Sequence, residues 1–412
     1  MPSGRSPALS TPAYQDSEMA TYVFMNLAAY GHITPTLPIV QKLTDRGESV
    51  IYYLPENFRA TVEAVGAEFR ALPQEAVLKI RGASTDNLSA DERIALLPFA
   101  MARQSMQIVP QLVDSIKTVK PDCLVYNALH IWARLLKGIL GVRAVGLRSY
   151  HAPREHQSVA TAKLADVATA ADRELARLAE AFGQAPLTLS ALTGGVEELT
   201  VVFMPREFQY RGDAFDQRFL FVGPSLRASG PEQGLLTERS VDSQMRIYVS
   251  LGTLRNNQPE FYRICLHAFD SGEWQVVMSV GNKIDIGALG PLPENFVVMR
   301  NAPQLELLPN VDAFVSHGGL NSTMESLYFG VPLVVVPSIK EQRLTARRVQ
   351  GMGLGLVLEH GQLTPESLRE AVRTAACDQE IRRRVKSMQK LVRSAGGSGR
   401  ATEAIINFVN AQ

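Results

Sequence analysis

Short apolar runs alternating with helix-like segments are the feature that most narrows the folds open to this chain. The runs YVFMNL (from Tyr22), ESVIYYL (Glu48), AEFRAL (Ala67), CLVY (Cys123), RAVGL (Arg143), TVVFMP (Thr200) and FLFVGPSL (Phe219) all have strand length. From Arg246 the plan restarts with RIYVSLGT, WQVVMSV, NFVVMR, DAFVS, LVVVP and GLGLVL. Strands covered on both faces read as unbroken apolar runs, and the helices between them supply the crossovers that parallel pairing needs. The expected fold class is α/β, with two facing, doubly wound Rossmann-like sheets and a ligand cleft between them. Residues 75–118 and 158–182 read as mostly helical.

A chain of 412 residues exceeds what one hydrophobic core usually serves. Residues 1–20 are rich in Ser, Pro and Ala and lack an apolar signal core, so they read as a flexible extension, or as sequence upstream of a start at Met19. Residues 21–226 then form the first domain and 243–394 the second. The linker is 227–242, where polar and breaker residues show no periodicity. In residues 395–412, Gly396-Gly397-Ser398-Gly399 reads as a hinge before a last helix that packs back towards the first domain.

Composition removes several classes of function. A net charge of +1 offers no surplus to neutralise phosphates, so nucleic acid is not an expected partner. The one dense basic cluster, Arg382-Arg383-Arg384, reads as a solvated helix face. Cys123, Cys265 and Cys377 lie far apart with no CxxC or His/Cys ligand spacing, which argues against disulfides and zinc and fits a reducing cytoplasm. No apolar run reaches the ~18–20 residues of a membrane span.

The densest chemistry lies in FVSHGGLNSTMESLYFGVPLVVVPSIKEQ, from Phe314 to Gln342. A strand that empties into glycines and a helix N-terminus is an anion site, because the first helical N–H groups are unpaired and carry partial positive charge. Gly318 and Gly319 let a phosphate approach the backbone, and Asn321, Ser322 and Thr323 add donors. Glu325, one turn on, is placed to accept hydrogen bonds from ribose hydroxyls. The alternative for HGG alone is an ordinary glycine-rich strand–turn–helix connection. A second candidate is His32 in YGHITP, at the carboxyl edge of the first strand, where a histidine suits a general base at neutral pH. Its bland alternative is a structural histidine at the following helix.

These stretches, with PDCLVYN, VFMP, FVGPSL, NAPQLELLP and AGGSGRA, resemble the inverting nucleotide-sugar glycosyltransferases of glycosyltransferase family 1 over nearly the whole chain from about residue 21. The bacterial macrolide- and flavonoid-glycosylating branch is the most similar. The resemblance implies the GT-B fold, with acceptor bound mainly by the first domain and donor by the second. It places His317 at the β-phosphate, Asn321, Ser322 and backbone amides (Gly319 among them) at the α-phosphate, and Glu325 at the ribose. It places Gln304 at the base, Thr253 at the phosphates, and Glu341 with Gln342 at the sugar hydroxyls. The implied reaction moves a hexose, glucose from UDP-glucose, with inversion to a hydroxyl of a small apolar natural product such as a macrolide, polyketide or flavonoid. No cofactor is implied beyond the UDP-sugar co-substrate; the chain has no DxD, which fits a metal-independent site. The acceptor wall is expected from residues 75–110 and 148–170, with Met101, Met106, Tyr150, Trp132 and His130 contributing. Oligomeric state is open.

The chain departs from its family at Asn127, where an aspartate usually orients the histidine. Asp122 is no substitute, being five strand residues, about 16 Å, away at the other sheet edge. Three explanations are open at this level. The acceptor is acidic enough to need little help, the acceptor or another residue (His130 among the candidates) supplies the charge, or the exchange was introduced to trap a complex. A catalytically impaired binding or helper subunit is therefore the second reading, although the donor residues are intact. A nicotinamide oxidoreductase ranks last, because no GxGxxG follows an early strand.

Overall fold

The structure is a computed structural model and describes residues 19–73, 76, 90–152, 165–227 and 244–411. Apart from Arg227, the linker expected at 227–242 lies outside the described residues, as do parts of both helical stretches.

All thirteen apolar runs form strands, in two separate parallel sheets. The first contains β1 (Thr21–Met25), β2 (Ser49–Leu54), β3 (Glu68–Ala71), β4 (Cys123–Asn127), β5 (Arg143–Arg148), β6 (Leu199–Val202) and β7 (Phe219–Phe221), in the order β3-β2-β1-β4-β5-β6-β7. The second contains β8 (Met245–Ser250), β9 (Trp274–Ser279), β10 (Phe296–Met299), β11 (Ala313–Ser316), β12 (Leu333–Val335) and β13 (Gly355–Val357), in the order β10-β9-β8-β11-β12-β13. Each sheet reverses direction beside its first strand, which opens a crevice at the carboxyl ends of β1 and β4 in one and of β8 and β11 in the other.

Pairing places Phe24 beside Tyr52 and Val125, so the centre of the first sheet is buried on both faces. One face packs under the helices Leu97–Lys117 and Ile131–Leu140, the other under Leu37–Thr44 and the final helix Gly397–Asn410. A third apolar cluster joins Met204, Phe208 and Phe221 of the first half to Phe314, Leu327 and Val392 of the second.

The segment after β1 is helical: Tyr30–Ile33 makes one turn, and a 3₁₀ turn at Thr34–Thr36 leads into Leu37–Thr44. Pro35 and Pro38 favour this, with φ preset for the first turn of a helix. The glycine cluster at 396–399 is no free hinge, because the last helix already begins at Gly397. Gly397 N–H donates to the Val222 carbonyl at 2.7 Å, and a methyl on Gly397 would come 3.0 Å from the Pro224 carbonyl oxygen. Nearby, a methyl on Gly223 would meet the Val392 carbonyl oxygen at 2.8 Å. These glycines permit tight contact of backbone with backbone. The chain leaves the first half and returns to it side by side.

Candidate active site

The second-domain half of the site begins where β11 ends. Gly318 turns the chain with φ 79°, and a methyl there would stand 2.6 Å from Val335 Cγ1, so only glycine fits. The helix Leu320–Phe329 follows, its first N–H groups directed at the crevice. The His317 ring lies between two glycines: a Cβ on Gly252 would come 2.5 Å from its Cε1, and one on Gly319 2.4 Å from its Nε2. Burial lowers the His317 pKa to about 4, so the ring is neutral near pH 7. Gly252 sits in the turn after β8 that also carries exposed Thr253.

Gln304, first residue of a short helix, brings its amide to Ser322 Oγ (3.3 Å) and to the Glu325 carboxylate. Burial raises Glu325 to about 7, and the Gln304 bond opposes that rise. Gln342 has part of its capacity committed. Its Oε1 accepts from the N–H groups of Ser338 (2.8 Å) and Ile339 (3.3 Å) at the start of the helix Lys340–Gly351, beside exposed Glu341.

In the first domain, His32 stands at the carboxyl edge of β1 and β4. Its Nδ1 lies 2.9 Å from Asn127 Nδ2 and 3.0 Å from Ser149 Oγ. Tyr150 meets the imidazole edge to face, with ring centroids 6.5 Å apart, and accepts a hydrogen bond from Arg148 at 3.2 Å. Burial lowers His32 to about 4. Asp122 is at the opposite end of β4, where its carboxylate accepts from Thr21 N–H at 2.7 Å.

Four acceptor-wall expectations are corrected. Met101 and Trp132 are 1% and 2% exposed and belong to the core, with Trp132 Nε1 donating to the Met101 carbonyl at 2.7 Å. His130 is an N-cap: its buried Nδ1 accepts from Ala133 N–H at 3.2 Å, and it makes no hydrogen bond to His32. Met106 lies on the exposed side of the helix Leu97–Lys117.

The two halves meet directly. Asn321 Nδ2 donates to the carbonyl of Gly31, the residue before His32, at 2.6 Å. Lys340 N–H donates to Asp91 Oδ1 at 2.8 Å, so a first-domain carboxylate caps the helix that carries Glu341 and Gln342. Sequence reasoning did not single out Ser149, Arg148 or Asp91, although all three fall within the ranges expected for the acceptor wall. The first two could have been found from the run RAVGLRSY, which ends at the same sheet edge as Asn127.

Residues 268–400 match the family described as erythromycin biosynthesis protein CIII-like, C-terminal domain. The chain is 38% identical over 385 residues to the NDP-glycosyltransferase YjiC of Bacillus subtilis, covering 93% of this chain and 96% of that one. It is 31% identical to the demethyllactenocin mycarosyltransferase of Streptomyces fradiae, over 94% and 86% of the two chains. The crystal structure of CalG4, the calicheamicin glycosyltransferase, superposes with a TM-score of 0.82 at 30% identity, over 96% of this chain and 99% of that one. The two facing parallel α/β domains are thus the GT-B fold of nucleotide-sugar-dependent glycosyltransferases. Within that class the chain belongs to glycosyltransferase family 1, in its bacterial macrolide- and flavonoid-type branch.

Proposed function

We propose that this enzyme transfers a hexose, glucose from UDP-glucose, with inversion to an oxygen of a small apolar natural product. The observation that carries the reading is the hydrogen bond from Asn321 to Gly31. It sets the anion-binding helix terminus directly opposite the turn that bears His32, so donor and acceptor meet across a single cleft.

In this reading the pyrophosphate lies on the amides from Gly319 onward, with His317, Asn321, Ser322 and Thr253 around it. Glu325 takes the ribose hydroxyls, Gln304 the base, and Glu341 with Gln342 the sugar. Gln342 keeps its Nε2 for that task, since its Oε1 is the capping atom. The leaving group gains negative charge as the anomeric C–O bond breaks, and fixed amides stabilise that charge without reorganising. Neither a metal nor another cofactor is assigned a part. Attack from the side of His32, opposite the departing phosphate, inverts the anomeric centre. The relatives' names support a natural-product acceptor, since one transfers mycarose to demethyllactenocin and another acts in calicheamicin glycosylation. Tyr150 remains as an acceptor contact from the first domain.

Incubation with UDP-glucose and a panel of polyketides, macrolides and flavonoids, read by mass spectrometry, tests the proposal. A +hexose product whose anomeric configuration is opposite to the donor's supports it. No adduct from any nucleotide sugar refutes it, and retained configuration refutes the inversion.

A further inference from the structure

The proton arrangement at His32 is set by a contact that faces away from the cleft. Asn127 Oδ1 accepts the Leu129 backbone N–H at 3.0 Å, which closes a tight turn after β4. That bond decides which way round the amide lies: turned over, its NH₂ would face another N–H. The amide therefore presents NH₂, an obligatory donor, to His32 Nδ1 at 2.9 Å. Nδ1 must accept. Ser149 Oγ, 3.0 Å from the same nitrogen, is free to donate as well and imposes nothing against this. The proton of a neutral imidazole then sits on Nε2, the nitrogen that makes no hydrogen bond among the described residues. An aspartate at 127 would accept from both Leu129 N–H and His32 Nδ1–H and leave Nε2 with its lone pair.

We propose that Asn127 is a positioning residue that holds His32 in the Nε2–H form, and that the enzyme therefore selects acceptors already ionised at oxygen, phenolates above all. The inference rests on the reading of the cleft given above. In that form Nε2 has no lone pair with which to take a proton, but it donates a hydrogen bond to an arriving oxyanion. The charges around His32 agree. No carboxylate among the described residues makes a hydrogen bond to it, so imidazolium has no counter-ion. The titratable group in ring contact with it is Tyr150; the charges that reach Tyr150 are Arg148, Arg134 and, from the second half, the Glu341 carboxylate, and Arg148 is 3% exposed, with no ion pair among the described residues and its Nε unpartnered. A buried guanidinium that makes no ion pair among the described residues favours an anion on the acceptor side. The step balances without a base. The phenolate oxygen bonds to the anomeric carbon, the bond to the β-phosphate oxygen breaks with its electron pair leaving on UDP, and the phenolic proton has already gone to solvent.

Two measurements test this. First, ¹⁵N NMR of the histidine ring, with no substrate present, reads the tautomer. The wild type should show an unprotonated Nδ1 and a protonated Nε2 at His32, and Asn127→Asp should reverse them; a protonated Nδ1 in the wild type overturns the proposal whatever the enzyme's activity. Second, kcat/KM for the acceptor is followed against pH, with UDP-glucose kept saturating so that the Glu325 titration does not enter, for a nitrophenol, an alkylphenol and a primary alcohol. The break in the profile should track each phenol's own ionisation. The alcohol should be inert with wild type and gain roughly 10²-fold or more in Asn127→Asp. A single break shared by all acceptors, or alcohol turnover by wild type equal to that of phenols, overturns it. If no acceptor is glycosylated by either protein, the function reading fails, and the NMR result still decides the tautomer.

Discussion

Glu325 and His32 have titrations displaced in opposite directions by the same cause, and the consequences are separable. Burial holds Glu325 near 7, so its carboxylate fades as pH falls through that value. In the proposed role it accepts ribose hydroxyls, so UDP-glucose affinity should weaken from pH 8 to pH 6, and Glu325→Gln should flatten the dependence. Calorimetric titration across that range checks both. The ligand-free fold responds in the reverse sense. A carboxyl raised in the native state contributes stability that is complete below its ordinary range and is lost as pH rises through about 7. His32, held near 4, stays neutral throughout, so its protonation should cause no fall in rate between pH 8 and 5. Replacing it by alanine removes one hydrogen bond to a charged oxygen, and kcat/KM should drop by about 10- to 100-fold. Steady-state kinetics measures the loss, and unchanged turnover would remove His32 from the site.

Individual elements differ in how much of themselves they show in sequence. The central strands were readable because they are buried on both faces and their apolar runs are not interrupted, whereas β3 and β10 at the sheet edges carry exposed residues. Their carboxyl ends were overrun, since residues such as Asn26, which bonds Tyr52 Oη and the His32 carbonyl, leave the sheet to build the crevice. The helix Leu97–Lys117 was readable as a helix, yet Met101 was assigned to the cleft. Its spacing to Ser105, Ile108, Leu112 and Ile116 is that of one buried stripe, while Met106 falls off it. The glycine turn and helix start of the donor motif were legible because they are local in sequence, whereas the Gln304–Glu325 and Asn321–Gly31 contacts join distant segments. The pairing of Asn127 with His32 was legible too, but not its polarity: the amide carbonyl, the expected acceptor for the imidazole N–H, is taken by Leu129 N–H in the turn, so the NH₂ faces His32. The turn after β8 offers a test of element fit. Gly252 has φ 72° and faces the His317 ring, so Gly252→Ala should cost about 1–3 kcal/mol of stability and weaken donor binding at least as much as it weakens folding. Chemical denaturation with and without UDP reads both.

At the scale of the molecule, the final helix is part of the first domain's core although it follows the second in the chain. Ala401 and Ile405 are fully buried in the cluster that contains Phe24 and Val125. Ile405→Ala should therefore lower stability by about 2–5 kcal/mol, seen as an earlier unfolding transition in calorimetry. Arg400 adds bonds to the carbonyls of Phe221 and Ala395, one on each side of the junction. The described residues include no helix long and apolar enough to cross a membrane.

Two polypeptide strands passing between halves at neighbouring points, with Gly223 against Val392 and Gly397 against Val222, act as a paired pivot. A body held at two adjacent points swings far more easily than it twists or slides. Any widening of the crevice is accordingly a jaw-like rotation about that edge.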